Sequence, residues 1–462
     1  TRPVIFPAGR FIIAATLVSV IGVGGWVVSA LGTSPLLILA GFSYFAPERS
    51  EQVKLTSSYP ATVCPAIGNK VSSIAALTQS KVNRRSIDGI SKRLNPGKSS
   101  VIALKDNAIL VEGNSGTSLT FANNSWKAVV PCSISNGEQW FIGGSGALTS
   151  KSYLFIINSG FSESSVDIEI FTPNGPLEPK IVSIPQNSSK KISIDSLVPG
   201  EESIAIAVKT KSGRVSSYLF DERKKGLKSL GADFVSPVTI ARKVVTIPAI
   251  TGLSGKLASS TNSVSHTLRL LVPATIDANV DVTINSNDGN FIPVGLSELD
   301  VKSQKVLDIP LTFAKIDQPF SVIVNSDQPI FASVLSSFTY GKSPEIAWAT
   351  GADELKKWSV NLTGSRPTLN FVGDRINVQI SATGTNGKKI VKKLSASNFV
   401  TWRAPVGLNR LEVTASRDGI SGGVIFLPEV GGIGSSYIPM NNGANLETAA
   451  EPISDAGVIS RG

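Results

Sequence analysis

The chain has 462 residues, which is too long for one ordinary hydrophobic core and favours two to four domains. Hydrophobic residues make up 42% and charged residues 17%, a balance that argues against both wholesale disorder and a polytopic membrane protein. The formal net charge of +10 would attract polyanions such as anionic lipid headgroups or acidic wall polymers, although solubility is the plainer explanation of this excess.

Residues 11–32 form the first predicted element. They carry no charged side chain over 22 positions, and at ~1.5 Å per residue such a helix spans the ~30 Å hydrocarbon core of a bilayer. Arg2 and Arg10 precede this run, and no acidic residue accompanies them. The positive-inside rule therefore predicts a cytoplasmic N-terminus over residues 1–10 and a transmembrane anchor after it.

The rest of the chain is expected outside the plasma membrane, beginning with a juxtamembrane linker over residues 33–51. A cleavable signal peptide is the alternative, because Val28, Ser29 and Ala30 resemble a cleavage site, and the protein would then be secreted. The anchor is favoured because the run is longer than the core of a usual signal peptide.

Cys64 and Cys132 are the only two cysteines. In an exported protein they are most simply one disulfide, which would stabilise the fold by roughly 4 kcal/mol on the chain-entropy relation. Two buried thiols or a metal pair are the alternatives. Neither cysteine has a second cysteine or a histidine at ligand spacing, and His266 is the sole histidine, so no metal site is predicted.

Short runs of alternating hydrophobic and polar residues dominate the chain after residue 151. The run at 166–171 has the period of a half-buried strand, and a turn signature follows at 173–176. About 114 residues later the same order returns, with an alternating run at 279–284 and a turn at 287–289. Because no amphipathic helix separates these runs, they predict antiparallel β-sandwiches.

The predicted domains follow from these repeats. A β region with the disulfide precedes two clear sandwich repeats and a third, weaker one, and a flexible tail follows. These parts occupy residues 52–150, 151–235, 245–345, 358–440 and 441–462.

One motif is specific enough to suggest a relationship. It consists of Pro131, Cys132, Trp140, Phe141, Gly143 and Gly144. In this motif, in the Cys64-Pro65 pair and in its layout, the chain resembles a family of uncharacterised exported proteins from actinobacteria. The resemblance implies an envelope location and duplicated immunoglobulin-like repeats, but no reaction. The expected fold is therefore all-β, with tandem antiparallel immunoglobulin-like β-sandwich domains after a single N-terminal transmembrane helix.

No catalytic constellation is predicted. Residues 419–423 match the nucleophile-elbow pattern, but they lie between two strand-like runs rather than on a strand-turn-helix. His266 is the only possible histidine base, and we expect it at a surface or a strand edge. Asp221 and Glu222 are interpreted as turn or strand-end charges.

Paired carboxylates could in principle serve a glycosidase on the exported side. The candidates are Asp167, Glu169, Asp281 and Asp308. All four occupy the polar phase of predicted strands, where a solvated face is the ordinary explanation. The sequence therefore predicts no catalytic residue.

The best candidate ligand surface combines aromatic residues, glycines and arginines. It comprises Trp140, Phe141, Gly143, Gly144, Arg84 and Arg85. Aromatic rings beside glycines can stack on a sugar, and basic clusters, such as those at 81–85, 223–225 and 388–393, can bind phosphate-bearing polymers. In the plainer interpretation Trp140 plugs the end of a sandwich, the glycines form a bulge, and the basic residues protect sheet edges.

These observations predict a non-enzymatic, membrane-anchored extracytoplasmic protein that acts as a cell-envelope scaffold or adaptor in wall assembly. The expected partners are the membrane, through the N-terminal helix, and envelope proteins or an anionic wall polymer. No nucleic acid and no cofactor is expected. The alternatives are a binding module for anionic cell-wall glycan and a glycan hydrolase.

Overall fold

The structure is a computed structural model and describes residues 55–450 with short gaps. The gaps are at 59–60, 68–71, 78–81, 88–90, 95–98, 104–106, 113–115, 254–260, 313–317, 429–433 and 442–446. The predicted anchor at 11–32, the predicted linker at 33–51 and residues 451–462 of the predicted tail lie outside the described residues.

The described residues form strands and no helix, so the predicted all-β class is confirmed. In this part of the chain, accordingly, no helix has the length and hydropathy that a membrane span requires. The chain divides into two units. In the smaller one, Thr1–Ser58 with Thr448–Gly462, the described strands are β1 (Leu55–Ser58) and β35 (Glu447–Ala450), which pair with each other. The larger unit, Tyr59–Glu447, contains four successive pairs of sheets.

The first sandwich pairs two four-stranded antiparallel sheets. Its strands are β2 (Ala61–Cys64), β3 (Ser72–Leu77), β4 (Val82–Ser86), β5 (Ser91–Leu94), β6 (Ser99–Ala103), β7 (Ile109–Glu112), β8 (Ser118–Ala122) and β9 (Lys127–Pro131). The sheet orders are β2-β7-β4-β5 and β6-β3-β8-β9. Apolar side chains from β2, β7, β8 and β9 share one core, in which the rings of Phe121 and Trp126 pack edge to face.

The second sandwich begins with a strand inside the predicted N-terminal region 52–150. Its strands are β10 (Glu138–Phe141), β11 (Tyr153–Asn158), β12 (Ser164–Thr172), β13 (Gly175–Pro176), β14 (Lys180–Ile184), β15 (Ser188–Ser193), β16 (Ala205–Ser212), β17 (Val215–Lys225) and β18 (Lys228–Val235). The sheet orders are β10-β16-β12-β13, with β14 also on β12, and β15-β11-β17-β18. In β12 Val166, Ile168 and Ile170 are buried while the residues between them are half-buried, as the alternating pattern predicts.

The third sandwich is built around one strand of 22 residues that belongs to both of its layers. Its strands are β19 (Arg242–Thr251), β20 (Asn262–Leu271), β21 (Ala278–Ser286), β22 (Gly289–Phe291), β23 (Leu299–Val301), β24 (Val306–Pro310), β25 (Pro319–Tyr340) and β26 (Ser343–Thr350). The first part of β25 pairs with β19 and β21, and its second part pairs with β20 and β26. Apolar side chains from both layers fill one core between them.

The fourth sandwich repeats the two-sheet plan. Its strands are β27 (Lys357–Ser365), β28 (Thr368–Val372), β29 (Ile376–Gly384), β30 (Lys389–Ala396), β31 (Phe399–Arg403), β32 (Leu408–Ala415), β33 (Ser421–Phe426) and β34 (Ser436–Pro439). The sheet orders are β27-β32-β29-β30 and β31-β28-β33-β34. Leu369 and Phe371 of one sheet meet Val378 and Ile380 of the other in the core.

The last strand of each sandwich, β9, β18, β26 or β34, is also the edge of its sheet. β18 contacts β9 and β26, and β34 contacts the same two strands, so the four edges meet around one axis. We call these four strands the central strands. An edge strand carries unpaired backbone groups that invite aggregation, and here the ring of sandwiches encloses all four.

Side chains satisfy the backbone groups of the central strands. Ser436 Oγ lies 3.0 Å from Val129 N and 3.2 Å from Val129 O, which joins the fourth sandwich to the first. Asp233 Oδ2 accepts the backbone N–H of Trp348 at 2.9 Å, which joins the second sandwich to the third. Ser436 Oγ also lies 2.6 Å from Asp233 Oδ1, so one hydrogen-bonded chain links all four sandwiches.

Ser436→Ala tests this closure. The change removes the side-chain hydrogen bond to Val129 N and a partner of Asp233, so the free energy of unfolding should fall by about 1–3 kcal/mol. Urea denaturation followed by tryptophan fluorescence measures the loss. The control is Ser183→Ala on β14, because Ser183 is exposed and should tolerate the change. Equal midpoints for the two variants would show that the Ser436 hydroxyl does not hold the ring together.

Candidate functional site

A cavity of about 340 Å³ lies where the four central strands end. Its wall includes the segments that follow these strands, represented by Ser133, Ser236, Ala352 and Asn441. The first three segments are the connections between consecutive sandwiches. We call this space the axial cavity; its volume falls within the roughly 300–1,000 Å³ that is typical of ligand pockets.

The disulfide Cys64–Cys132 lies beside the axial cavity, and its presence confirms the predicted pairing. The Tyr218 hydroxyl accepts the N–H of Ser133 at 2.6 Å and donates to the carbonyl of Val63. Burial raises the pKa of Tyr218 to about 12, so this hydroxyl keeps its proton. Tyr218, from the second sandwich, thereby holds the two segments that the disulfide joins.

One hydroxyl in the wall has no hydrogen-bond partner among the described residues. It is the buried Oγ atom of Ser236, a residue that is only 3% exposed. Because a buried hydroxyl without a partner costs roughly 1–3 kcal/mol, this group is available to a bound molecule.

The rim of the axial cavity carries one ion pair and two exposed apolar residues. Arg242 Nη2 lies 2.8 Å from Asp353 Oδ1, and both side chains are partly exposed. Ile240 is 64% exposed and Val244 is 54% exposed. The opposite charges at the rim cancel, so the mouth has no strong preference for a polyanion.

Buried carboxyls surround the central strands. Asp221 accepts hydrogen bonds from Ser152 at 2.8 Å and from the Trp348 indole at 2.9 Å, and it pairs with Arg223 at 2.9 Å. Burial acts to raise the pKa of Asp221, but the Arg223 charge and these hydrogen bonds outweigh it and hold the pKa below its ordinary value. Asp221 is therefore an ionised structural anchor.

Asp233, in contrast, is held in the neutral, protonated state. Burial raises its pKa well above the ordinary value, and its hydrogen bonds with Ser436, Trp348 and Phe234 do not offset this. The protonated carboxyl can donate to Ser436 Oγ, which leaves the serine proton free for the carbonyl of Val129. A proton on Asp233 thus completes the hydrogen-bonded chain between the central strands.

Glu345 is the second buried acid that holds a proton. Burial raises its pKa to about 8, against the effect of hydrogen bonds from the backbone of Gly434 and Ser435. Its Oε1 accepts the N–H of Gly434 at 2.9 Å, while the buried Oε2 has no partner in the described part of the chain. The fourth sandwich therefore contacts the third through a carboxyl whose charge depends on pH.

Comparison with known proteins gives a family but no activity. The sequence profile of a family of unknown function (DUF5719) matches residues 127–395, more than half of the 462 residues. The chain belongs to this family. The match begins at the first residue of β9 and ends within β30, so it covers the second and third sandwiches and three of the four central strands.

Other comparisons add nothing about the fold or activity of this DUF5719 protein. No curated protein matches the chain significantly. One similar solved structure is described as the "crystal structure of tetra-tandem repeat in extending region of large adhesion protein". It shares 10% sequence identity over 84% of this chain and 97% of that chain, with a TM-score of 0.09. A value that low carries no argument.

Four residues of the predicted ligand surface are buried, which corrects that interpretation. Trp140 is 6% exposed, and its ring stacks on Phe331 of the third sandwich at 4.7 Å between centroids. Phe141, Gly143 and Gly144 are also buried. The motif is apolar and lies at the contact between two sandwiches, so its conformation is required for packing and it presents no face to a sugar.

Because the glycines of this motif have no side chains, residues of the third sandwich can pack closely against its backbone. A Cβ atom on Gly143 would lie 3.1 Å from the Trp348 ring and 2.8 Å from Val235. Gly144 has a φ of +85°, and its carbonyl accepts a hydrogen bond from Arg269 at 2.9 Å. Arg269 is 2% exposed and also binds the half-buried Asp308 at 2.7 Å, so the motif accepts a buried guanidinium whose charge is paired within the third sandwich.

The predicted basic residues do not join this motif in one site. Arg84 and Arg85 lie on β4 of the first sandwich, where they pair with β5 and β7. The exposed lysines of the 388–393 cluster lie at the start of and along β30, an edge strand of the fourth sandwich. The predicted ligand surface therefore combines residues that belong to different parts of the fold.

The expectation for His266 was wrong. It lies in β20, between β24 and β25, and is 8% exposed rather than at a surface or a strand edge. Its Nδ1 lies 2.9 Å from the Ser336 hydroxyl, and burial lowers its pKa to about 4, so the ring is neutral at physiological pH. Ser421, of the nucleophile-elbow pattern, lies on β33, where it pairs with Val372 of β28.

The four carboxylates considered for hydrolysis lie on three strands. Asp167 and Glu169 of β12 pair with Lys211 and Lys209, respectively. Asp281 accepts the N–H of Glu298, and Asp308 binds Arg269. In the described part of the chain, no group of three or more histidine, cysteine or acidic residues is placed to hold a metal ion.

The sequence reasoning missed the buried acids and Tyr218. Asp221 and Glu222, interpreted as turn or strand-end charges, lie within β17 and are 0% and 4% exposed. One signal was available: Tyr218, Leu219 and Phe220 form a continuous apolar run directly before them, and such a run is typical of a strand buried on both faces.

Glu345→Gln tests the buried acid at the central strands. Its pKa is about 8 in the folded protein and 4.5 in the unfolded chain. Between these two pH values the folded protein therefore binds a proton that the unfolded chain has released. This contribution to stability is complete below about pH 4.5 and is lost as the pH rises through about 8. The uncharged variant should therefore lose less stability between about pH 6 and pH 9, by on the order of 1–2 kcal/mol.

Urea denaturation at both pH values measures this difference. Glu178→Gln is the control because Glu178 is exposed on the second sandwich and should leave the pH dependence unchanged. An identical pH dependence in the natural protein and the Glu345→Gln variant would contradict the assignment of a titrating buried carboxyl.

Proposed function

We propose that this DUF5719 protein is a non-enzymatic, membrane-anchored extracytoplasmic protein that acts as a cell-envelope scaffold or adaptor in wall assembly. The disulfide Cys64–Cys132 carries the proposal, because disulfides persist mainly in oxidising compartments. The uncharged run at 11–32 supplies the anchor in the same proposal. Both features agree with synthesis at a membrane and maturation outside the cytoplasm.

The ring of sandwiches supports the scaffold role. Its central strands are joined by buried hydrogen bonds, and the buried Arg269 of the third sandwich donates to the carbonyls of Gly144 and Ile204 of the second. A body held in this way presents its loops and its axial cavity at fixed positions, as an adaptor between partners requires. We further propose that the four sandwiches are immunoglobulin-like repeats and that the protein comes from an actinobacterium, as the resemblance in the sequence implies.

The location is tested with C-terminally tagged full-length protein in cells of its own organism. We expect the tag in the membrane fraction and accessible to protease added outside spheroplasts. Denaturation in the presence of a maleimide should attach no label until a reductant is added, because both cysteines are in the disulfide. Soluble cytosolic protein with two free thiols would contradict the proposal.

The adaptor role needs a separate measurement on the same cells. Cross-linking of the tagged protein should recover the same envelope proteins in repeated preparations. A matched exported protein of similar size, with the same anchor and tag, provides the control. Recovery of identical proteins by both chains would contradict a specific adaptor role even if the location is as proposed.

Binding of an anionic wall glycan is a second candidate function, and one observation favours it. Four lysines, Lys388, Lys389, Lys392 and Lys393, are exposed together at or on the edge strand β30. No ion pair of theirs is seen among the described residues, so their charges face solvent. Such a row can bind phosphate groups along a polymer, or it can protect the edge from aggregation.

Changing these four lysines to glutamine distinguishes the two explanations. The variant should sediment less with purified cell walls at low salt, by roughly tenfold if each lysine contributes a few tenths of a kcal/mol. The control removes the same number of charges from dispersed exposed positions: Lys180, Lys228, Lys305 and Lys342. Equal sedimentation of the two variants would assign any binding to net charge and would exclude a specific site on β30.

A further inference from the structure

The axial cavity contains an unpaired strand edge. Ala352 donates its N–H to the carbonyl of Thr246 at 2.8 Å, so Thr246 of β19 directs its backbone groups away from β25. Backbone groups alternate along an antiparallel strand, and Val244 lies two residues earlier. The N–H and C=O of Val244 therefore point the same way, and they have no backbone partner on that side among the described residues.

This edge opens into the axial cavity, because Val244 and Val245 both line it. Ala352 already pairs with β19 beside the opening, so the wall has the geometry of a sheet that lacks its next strand. The side chain of Val244 is 54% exposed, which leaves the edge accessible. An extended chain can add to such an edge through main-chain hydrogen bonds.

The rest of the wall agrees with the same kind of ligand. Ile134, Val238 and Ile330 provide apolar contacts for side chains, while the Ser236 hydroxyl, which has no partner among the described residues, can bond to a peptide group. Among the described residues, the mouth carries the Arg242–Asp353 pair, whose charges cancel, and this disfavours an anionic polymer here.

We propose that the axial cavity binds an extended, mainly apolar peptide segment of a partner protein, which pairs with β19 at Val244. The proposal deepens the adaptor role and rests on it. A peptide in the cavity would contact all three connections between sandwiches. A single partner would therefore stabilise the arrangement of all four sandwiches.

The test uses the full chain in cells of its own organism, with the photoreactive residue p-benzoylphenylalanine in place of Ile240. Ile240 is 64% exposed on the rim of the cavity. The matched control carries the same residue in place of Val406, which is also 64% exposed but lies outside the cavity wall. We expect an adduct with one peptide segment at position 240 and none at position 406, identified by mass spectrometry.

Two further variants test the strand pairing. Val244→Pro removes the free N–H without removing a bond to β25, and proline is tolerated at such an edge. It should lower the adduct yield by about fivefold or more, the worth of one hydrogen bond, whereas Val244→Ala keeps the N–H and should lower it less. A thermal melt checks that both variants are folded.

The outcomes separate this proposal from the proposed function. An adduct with lipid or glycan only, equal adducts at positions 240 and 406, or no adduct overturns the peptide site, whether or not Val244→Pro folds. Equal yields from folded Val244→Pro and Val244→Ala overturn the pairing with β19. The location assay is read on tagged protein without a photoreactive residue, so its failure would overturn the envelope role without depending on the adducts.

Discussion

The fold depends on the enclosure of four sheet edges around one axis. Each sandwich ends in an edge strand, and an exposed edge would be a template for pairing with another chain. Ser436 and Asp233 supply side-chain oxygens to Val129 and Trp348 where strand neighbours would otherwise do so. The ring is therefore stabilised by side chains that substitute for missing strands, and each sandwich contributes to the solubility of its neighbours.

This enclosure explains why acids are buried in so apolar a place. A carboxyl has two oxygens, and each can form a hydrogen bond with a different sandwich. Asp233 does this: one oxygen accepts the N–H of Trp348, and the other forms a hydrogen bond with Ser436. The neighbours of each buried carboxyl then decide its charge. Asp221 has Arg223 beside it and stays ionised, whereas the hydrogen bonds of Asp233 and of Glu345 do not offset burial, which raises the pKa of both. The same arrangement that closes the ring makes its stability depend on pH.

The sequence predicted the strands and the disulfide because both depend on local or pairwise features. Alternation in β12 and β21 specifies which face is buried, and two cysteines have only one pairing with each other. The buried acids and the axial cavity arise from contacts between sandwiches, which no local pattern records. The ligand-surface interpretation of Trp140 failed for the same reason: its partner Phe331 is distant in sequence.

Four tandem units can form a string or a ring, and the balance between them links closure to binding. The ring requires contacts such as that between Ser118 and Asn361, 243 residues apart, but loop-closure entropy grows by only about 0.6 kcal/mol per doubling of length. A string would expose the central strands, so enclosing the edges favours the ring. The connections then have to spread around the ends of four strands, and the space between them is the axial cavity. A ligand that binds only the closed arrangement stabilises it by mass action, so occupancy of the cavity and integrity of the ring are thermodynamically coupled.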